Sequence, residues 1–181
     1  MRLYHFTAIS NVPNILEVVV LPGELPISAR EVARAVNLTT DASPSGHGLT
    51  NGRFVSKAEA KFLGLVLTEK CRIPHFPNKR KVRITVDVDS RSVHRWLRWS
   101  QANNHPRFRE TMIESGGGLA KAKTWRFCWE AIPPDQIEKV EVKTASNWTL
   151  YENYNGSLEN EFLPQVLVGG YNEWGPSLFN E

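Results

Sequence analysis

The chain has 181 residues, 41% hydrophobic and 23% charged, with a formal net charge of +3. A chain of that length and balance fits one globular domain burying about 70% of the surface its unfolded form exposes, with no need of a metal or disulfide. No stretch approaches a membrane span, the first residues lack a signal-peptide pattern, and Cys71 and Cys128 form no CxxC pair. We therefore expect a cytoplasmic protein with reduced thiols and no membrane partner.

Residues 3–7 read as a short strand, because Tyr, Phe and Thr favour extended backbone. A helix is expected next, capped by Ser10 or Asn11, with Pro13 in its first turn and Ile15, Leu16 and Val19 as its apolar stripe. Residues 27–36 fit a short helix, since Ser28 is followed three positions later by Glu31. Residues 36–40 read as a second strand running into a loop at residues 41–48. Residues 56–69 have helix-like content, with a strand over 62–68 as the alternative. Residues 81–88 give the clearest strand: Val82, Ile84, Val86 and Val88 alternate with Arg83, Thr85 and Asp87. A helix is expected over 93–102 with Trp96 and Trp99 near one face. Residues 103–118 read as irregular or partly helical, broken at Gly116-Gly117-Gly118. A strand follows at 125–131, stopped by Pro133-Pro134, and residues 137–142 read as a further strand, or a short helix then a strand. Short strands interleaved with a few helices make an α+β fold rather than a regular βαβ repeat. The domain assignment is a single unit over 1–181, with a core at 1–146 and a C-terminal extension at 147–181.

Charge is segregated along the chain. Residues 1–69 sum to 0, residues 70–126 to +10 and residues 127–181 to −7. A basic middle segment of this kind attracts phosphate-rich partners. Its candidate nucleic-acid contacts are Lys79, Arg80, Lys81, Arg95 and Arg98, with Trp96 and Trp99 as stacking platforms. DNA, RNA and a host protein all remain open as partners.

Several chemistries lose support. Neither GxGxxG nor GxxxxGK[ST] occurs, and HExxH, CxxC and GxSxG are missing too. The five histidines are scattered, so no metal site is expected. Three segments stand out instead: Tyr4-His5-Phe6-Thr7; Asn37-Leu38-Thr39-Thr40-Asp41 followed by Gly46-His47-Gly48; and Trp125-Arg126-Phe127-Cys128-Trp129-Glu130, followed by Pro133-Pro134.

Together these segments resemble ADP-ribosyltransferase-like domains of the DarT type and a related uncharacterised phage and bacterial group. The first matches an aromatic-His-x-Thr strand followed by a helix with Asn11, Ile15 and Leu16. The last matches a closing Ile-Pro-Pro-x-x-Ile-x-x-Val element, here Ile132, Pro133, Pro134, Ile137 and Val140. The resemblance covers residues 3–142. It implies a split, twisted central sheet with flanking helices, and transfer of ADP-ribose from NAD to a nucleic acid or protein, as in a toxin or phage factor. No metal is implied.

The same resemblance implies roles for individual residues. Glu130 would stabilise the ribosyl cation and activate the acceptor, although it stands later in its strand than the family's acid. His5 would bind a ribose hydroxyl. Thr7, Thr39 and Thr40 would fix the remaining hydroxyls, and Arg53 or Arg83 the pyrophosphate. Trp125 would stack on nicotinamide and His47 would serve as acid or base. Two other classes stay open. One is a nucleic-acid-binding or inhibitor module on the same scaffold without catalysis. The other is a small nuclease using His47 and His94.

Overall fold

The computed structural model describes residues 1–62, 75–145 and 147–156. Its elements in chain order are β1 (Arg2–Thr7), α1 (Val12–Glu17), β2 (Gly23–Pro26), β3 (Val32–Thr39), α2 (Lys57–Phe62), β4 (Val82–Asp87), β5 (His94–Arg95), α3 (Trp96–Asn103), α4 (Pro106–Ser115), α5 (Leu119–Ala122), β6 (Trp125–Cys128), β7 (Ile137–Lys143) and β8 (Trp148–Leu150). The strands form one open sheet in the order β5-β6-β3-β1-β4-β7-β8, with β2 added alongside β3. Every strand pair described is antiparallel. The fold is therefore a mixed α and β architecture with an antiparallel sheet and few, short helices. Among the described residues, no helix is long and apolar enough to cross a membrane.

Alternation builds the sheet. Val82, Ile84 and Val86 of β4 are fully buried, and they share one face with Leu3, Val36, Leu38, Val140 and Val142. Ile9, Val12 and Ile15, from the turn and helix after β1, cover that face. Each such side chain contributes about 1.5–3 kcal/mol on burial. A smaller cluster on the other face joins Leu25, Ala35, Trp96, Ala122 and Phe127, covered by α3, α4 and α5.

The helix expected over residues 27–36 is instead a turn leading into β3. The amides of Ile27 and Ser28 both donate to the Glu31 carbonyl, and Ser28 Oγ accepts from the Arg30 amide. Val32 then pairs with Pro26 of β2 and Val36 with Cys128 of β6, so tertiary pairing overrides the capping pattern. The expected helix at 93–102 begins only at Trp96, because His94 and Arg95 pair with β6. The stretch read as irregular or partly helical holds α4, with Pro106 in its first turn and Gly116 just past its end. The strand expected over 125–131 stops at Cys128. Within 56–69, helix α2 covers 57–62, and the alternative strand lies outside the described residues. Cys71 lies outside them too, while Cys128 is a buried free thiol. Beyond the expected core boundary at 146, β8 pairs with β7 and belongs to the same sheet.

β1 and β3 meet through a single registered pair, Tyr4 opposite Thr39, whereas β1 and β4 share six. The earlier part of β3, from Val32 to Ala35, pairs with β2. Between the two pairings the Asn37 carbonyl receives the His5 ring: Nδ1 lies 2.9 Å from Asn37 O. The sheet thus parts beside its central strand, and a side chain replaces a ladder bond there.

Candidate functional site

The three segments singled out in the sequence fold onto adjacent strands. Tyr4 on β1 stands opposite Thr39 on β3, and Thr39 stands opposite Trp125 on β6. Because β3 is antiparallel to both neighbours, β1 and β6 run in the same direction. Thr7 and Cys128 therefore lie toward one end of the sheet, and Tyr4 and Trp125 toward the other. Glu130 follows Cys128 past the strand end and is exposed.

His5 has a defined tautomer. A carbonyl oxygen can only accept, so Nδ1 carries the proton donated to Asn37, and Nε2 is left with its lone pair. Burial pushes the His5 pKa down, more strongly than the carbonyl bond raises it, and the charge of Lys79 lowers it further. The ring is a neutral acceptor at physiological pH. Thr7 is buried, and its hydroxyl receives the Asn11 side-chain amide at 2.9 Å.

On the opposite face, the loop after β3 folds back over the sheet. Trp125 Nε1 donates to His47 Nδ1 at 3.0 Å, and the His47 ring lies 5.9 Å from that of Phe6. An indole N–H only donates, so His47 carries its proton on Nε2. That atom is buried and has no hydrogen-bond partner among the described residues; Asp41 Oδ2 stands 3.8 Å away. Asp41 is ion-paired to Lys121. Burial pushes the Asp41 carboxyl up, but Lys121 and the Ser43 amide outweigh that and hold it below the usual range. Burial first, and the Lys121 charge next, push His47 below its ordinary value. With its lone pair occupied and its side chain 6% exposed, His47 pins the loop and is no general base in this arrangement. Thr39 is buried and its hydroxyl donates to Thr124, while Thr40 is exposed and its amide donates to the Thr124 carbonyl.

Both arginines expected to meet a pyrophosphate are committed elsewhere. Arg83 donates from Nε and Nη2 to Glu141 at 3.0 and 2.8 Å, and from Nη1 to the Ala42 carbonyl at 2.9 Å. Its guanidinium also lies 4.3 Å from the Trp148 ring centre. Arg53 grips both oxygens of Glu59 and covers the Phe76 ring.

The basic residues divide between two cavities. Arg80 and Lys81 line one of about 430 Å³ together with Lys143, near Lys79. Arg95 and Arg98 line another of about 290 Å³ with Lys123 and Arg126, two cations that sequence reasoning missed. Trp96 is 3% exposed and spends its ring on the core, edge-on to Trp125 at 4.9 Å. Trp99 is half-buried against Phe127 and Trp129, so neither indole is a free stacking platform. His94 stacks on Phe127 at the β5 edge, 5.2 Å between ring centres. Among the described residues no group of His, Cys, Asp and Glu could hold a metal ion.

No family model, curated protein or solved structure matches this chain.

Proposed function

We propose that this chain is an NAD-binding, ADP-ribosyltransferase-like domain. The observation that carries the reading is the convergence of its three motif segments, far apart in sequence, onto the adjacent strands β1, β3 and β6. The parting of β1 from β3 beside His5 supports it, since a nucleotide needs backbone and side-chain groups not consumed by the ladder.

In this reading His5 Nε2 accepts a ribose hydroxyl, because Nδ1–H is held by Asn37. Lys79, whose charge is felt at His5, supplies positive charge to the phosphates in place of Arg53 and Arg83. Glu130, exposed at the sheet end where β1 also finishes, faces the ribosyl cation formed as the nicotinamide bond breaks. The acceptor nucleophile then bonds to that carbon and gives up its proton. A second reading, a nucleic-acid-binding module without catalysis, is favoured by the two basic cavities.

Calorimetric titration with NAD tests the proposal. Wild type binds. His5→Ala, which loses a hydrogen bond to an uncharged hydroxyl, binds about fivefold more weakly. Glu130→Gln binds as wild type but turns NAD over no faster than buffer. Equal affinity in wild type and His5→Ala removes His5 from the site.

A further inference from the structure

β5 and β6 bring two like charges together. Arg95 stands directly opposite Arg126, an arrangement that destabilises a sheet unless something else compensates. Arg98 follows on the first turn of α3, and Lys123 precedes β6. These four cations, with Gln101 and Trp125, line the cavity of about 290 Å³. None of the four is ion-paired to a carboxylate among the described residues.

Arg126 is held in place by the backbone. Its Nη1 donates to the carbonyls of Lys123 at 2.9 Å and Trp125 at 2.8 Å. Nε and Nη2 have no protein partner among the described residues, so the guanidinium offers its remaining N–H groups. Burial, and then the neighbouring Arg95, draw its pKa down, as expected of a cation awaiting a counter-ion. Arg95 is also the N-cap residue of α3, whose N-terminus has no side-chain cap, so the helix adds its favourable end to the same field.

We propose that this cavity binds the phosphate group of a nucleotide or nucleic-acid strand. Three guanidinium forks and an ammonium suit the dense charge and several acceptor oxygens of a phosphate better than a single carboxylate. The volume lies at the low end for ligand pockets, which fits one phosphate with its sugar rather than a whole dinucleotide. The inference deepens the nucleic-acid-binding reading and does not depend on NAD turnover, so either can fail alone.

The test is titration of the full chain with three probes, oligothymidylate, AMP and inorganic phosphate, each at low and at physiological salt. Arg126→Ala and Arg98→Glu each weaken binding about tenfold. Each also lowers the salt slope for the oligonucleotide by about one. Arg2→Ala, an exposed cation paired with Glu138 and outside the lining of either basic cavity, changes affinity less than about twofold, on the order expected for an exposed charge pair. Arg98 is exposed on a helix surface, so its variant keeps the test valid should Arg126→Ala fail to fold. Binding of the oligonucleotide alone identifies a backbone phosphodiester, and binding of AMP or phosphate as well identifies a terminal or free phosphate. Failure of all three probes to bind, or an equal loss with Arg2→Ala, overturns the proposal.

Discussion

Replacing Arg83 with Met should destabilise the fold by about 3 kcal/mol, the low end of what removing one partner from a buried ion pair costs. The Glu141 side chain is 8% exposed and takes two bonds from Arg83. Without them it retains Lys139 Nζ at 2.7 Å, whose own side chain is 47% exposed. That remaining partner is why the low end applies. The loop after β3 also loses its bond to the Ala42 carbonyl, and Trp148 loses the guanidinium over its ring. For a chain of this size the loss corresponds to a melting temperature lower by about 6–12 °C. Burial alone would raise the Glu141 pKa, but Lys139 and Arg83 hold it below the ordinary value. A depressed folded-state pKa stabilises above the unfolded pKa, and that stability is lost as pH falls through the folded value. With that depression lessened, the variant should lose less stability than wild type as pH falls, so the two profiles converge in acid. Arg83→Met/Glu141→Met should regain most of the loss, since no buried charge is stranded, and should bind NAD as wild type does. Thermal and urea denaturation at several pH values provide the measurement. A loss under about 1 kcal/mol would mean the pair behaves as a surface one. A double variant as unstable as the single one would equally refute the reasoning.

Gly116→Ala places a Cβ 2.2 Å from the Trp125 ring, and melting should show a loss of about 1–3 kcal/mol with altered tryptophan fluorescence; a wild-type melt would contradict this packing. His5 and His47 are both held below their ordinary pKa, so the unfolded chain binds protons that the folded one refuses. Stability should be full above about pH 6.5 and fall as pH drops below it. Denaturation between neutral and mildly acidic pH checks this. His47→Gln should flatten the slope, and an unchanged slope would show that His47 does not contribute to it.

Local pattern carried the strands well. The alternation across β4 is legible without a partner, as is the Tyr4-His5-Phe6-Thr7 strand, because one buried face imposes a period of two. α4 was obscured because its apolar side, Phe108, Met112 and Ile113, is only half-buried and gives a weak helical signal. The Ser28 and Glu31 spacing pointed to a cap where pairing with β2 and β6 demanded a strand. At the site, the residue types were visible but their partners were not. Arg83 reads as a free phosphate ligand until strand register sets it beside Glu141, 58 positions away. The bond from Trp125 to His47 spans 78 positions and has no local signature. The basic excess of the middle segment was plain, yet only the pairing of β5 with β6 gathers four of its cations around one cavity.

The most direct measurement is incubation of the purified chain with labelled NAD, alone and with DNA, RNA or cell lysate, followed by mass spectrometry of every fraction. The account predicts release of nicotinamide and a mass gain equal to ADP-ribose on one acceptor fraction, both abolished by Glu130→Gln. No NAD binding and no NAD consumption in any mixture would contradict it.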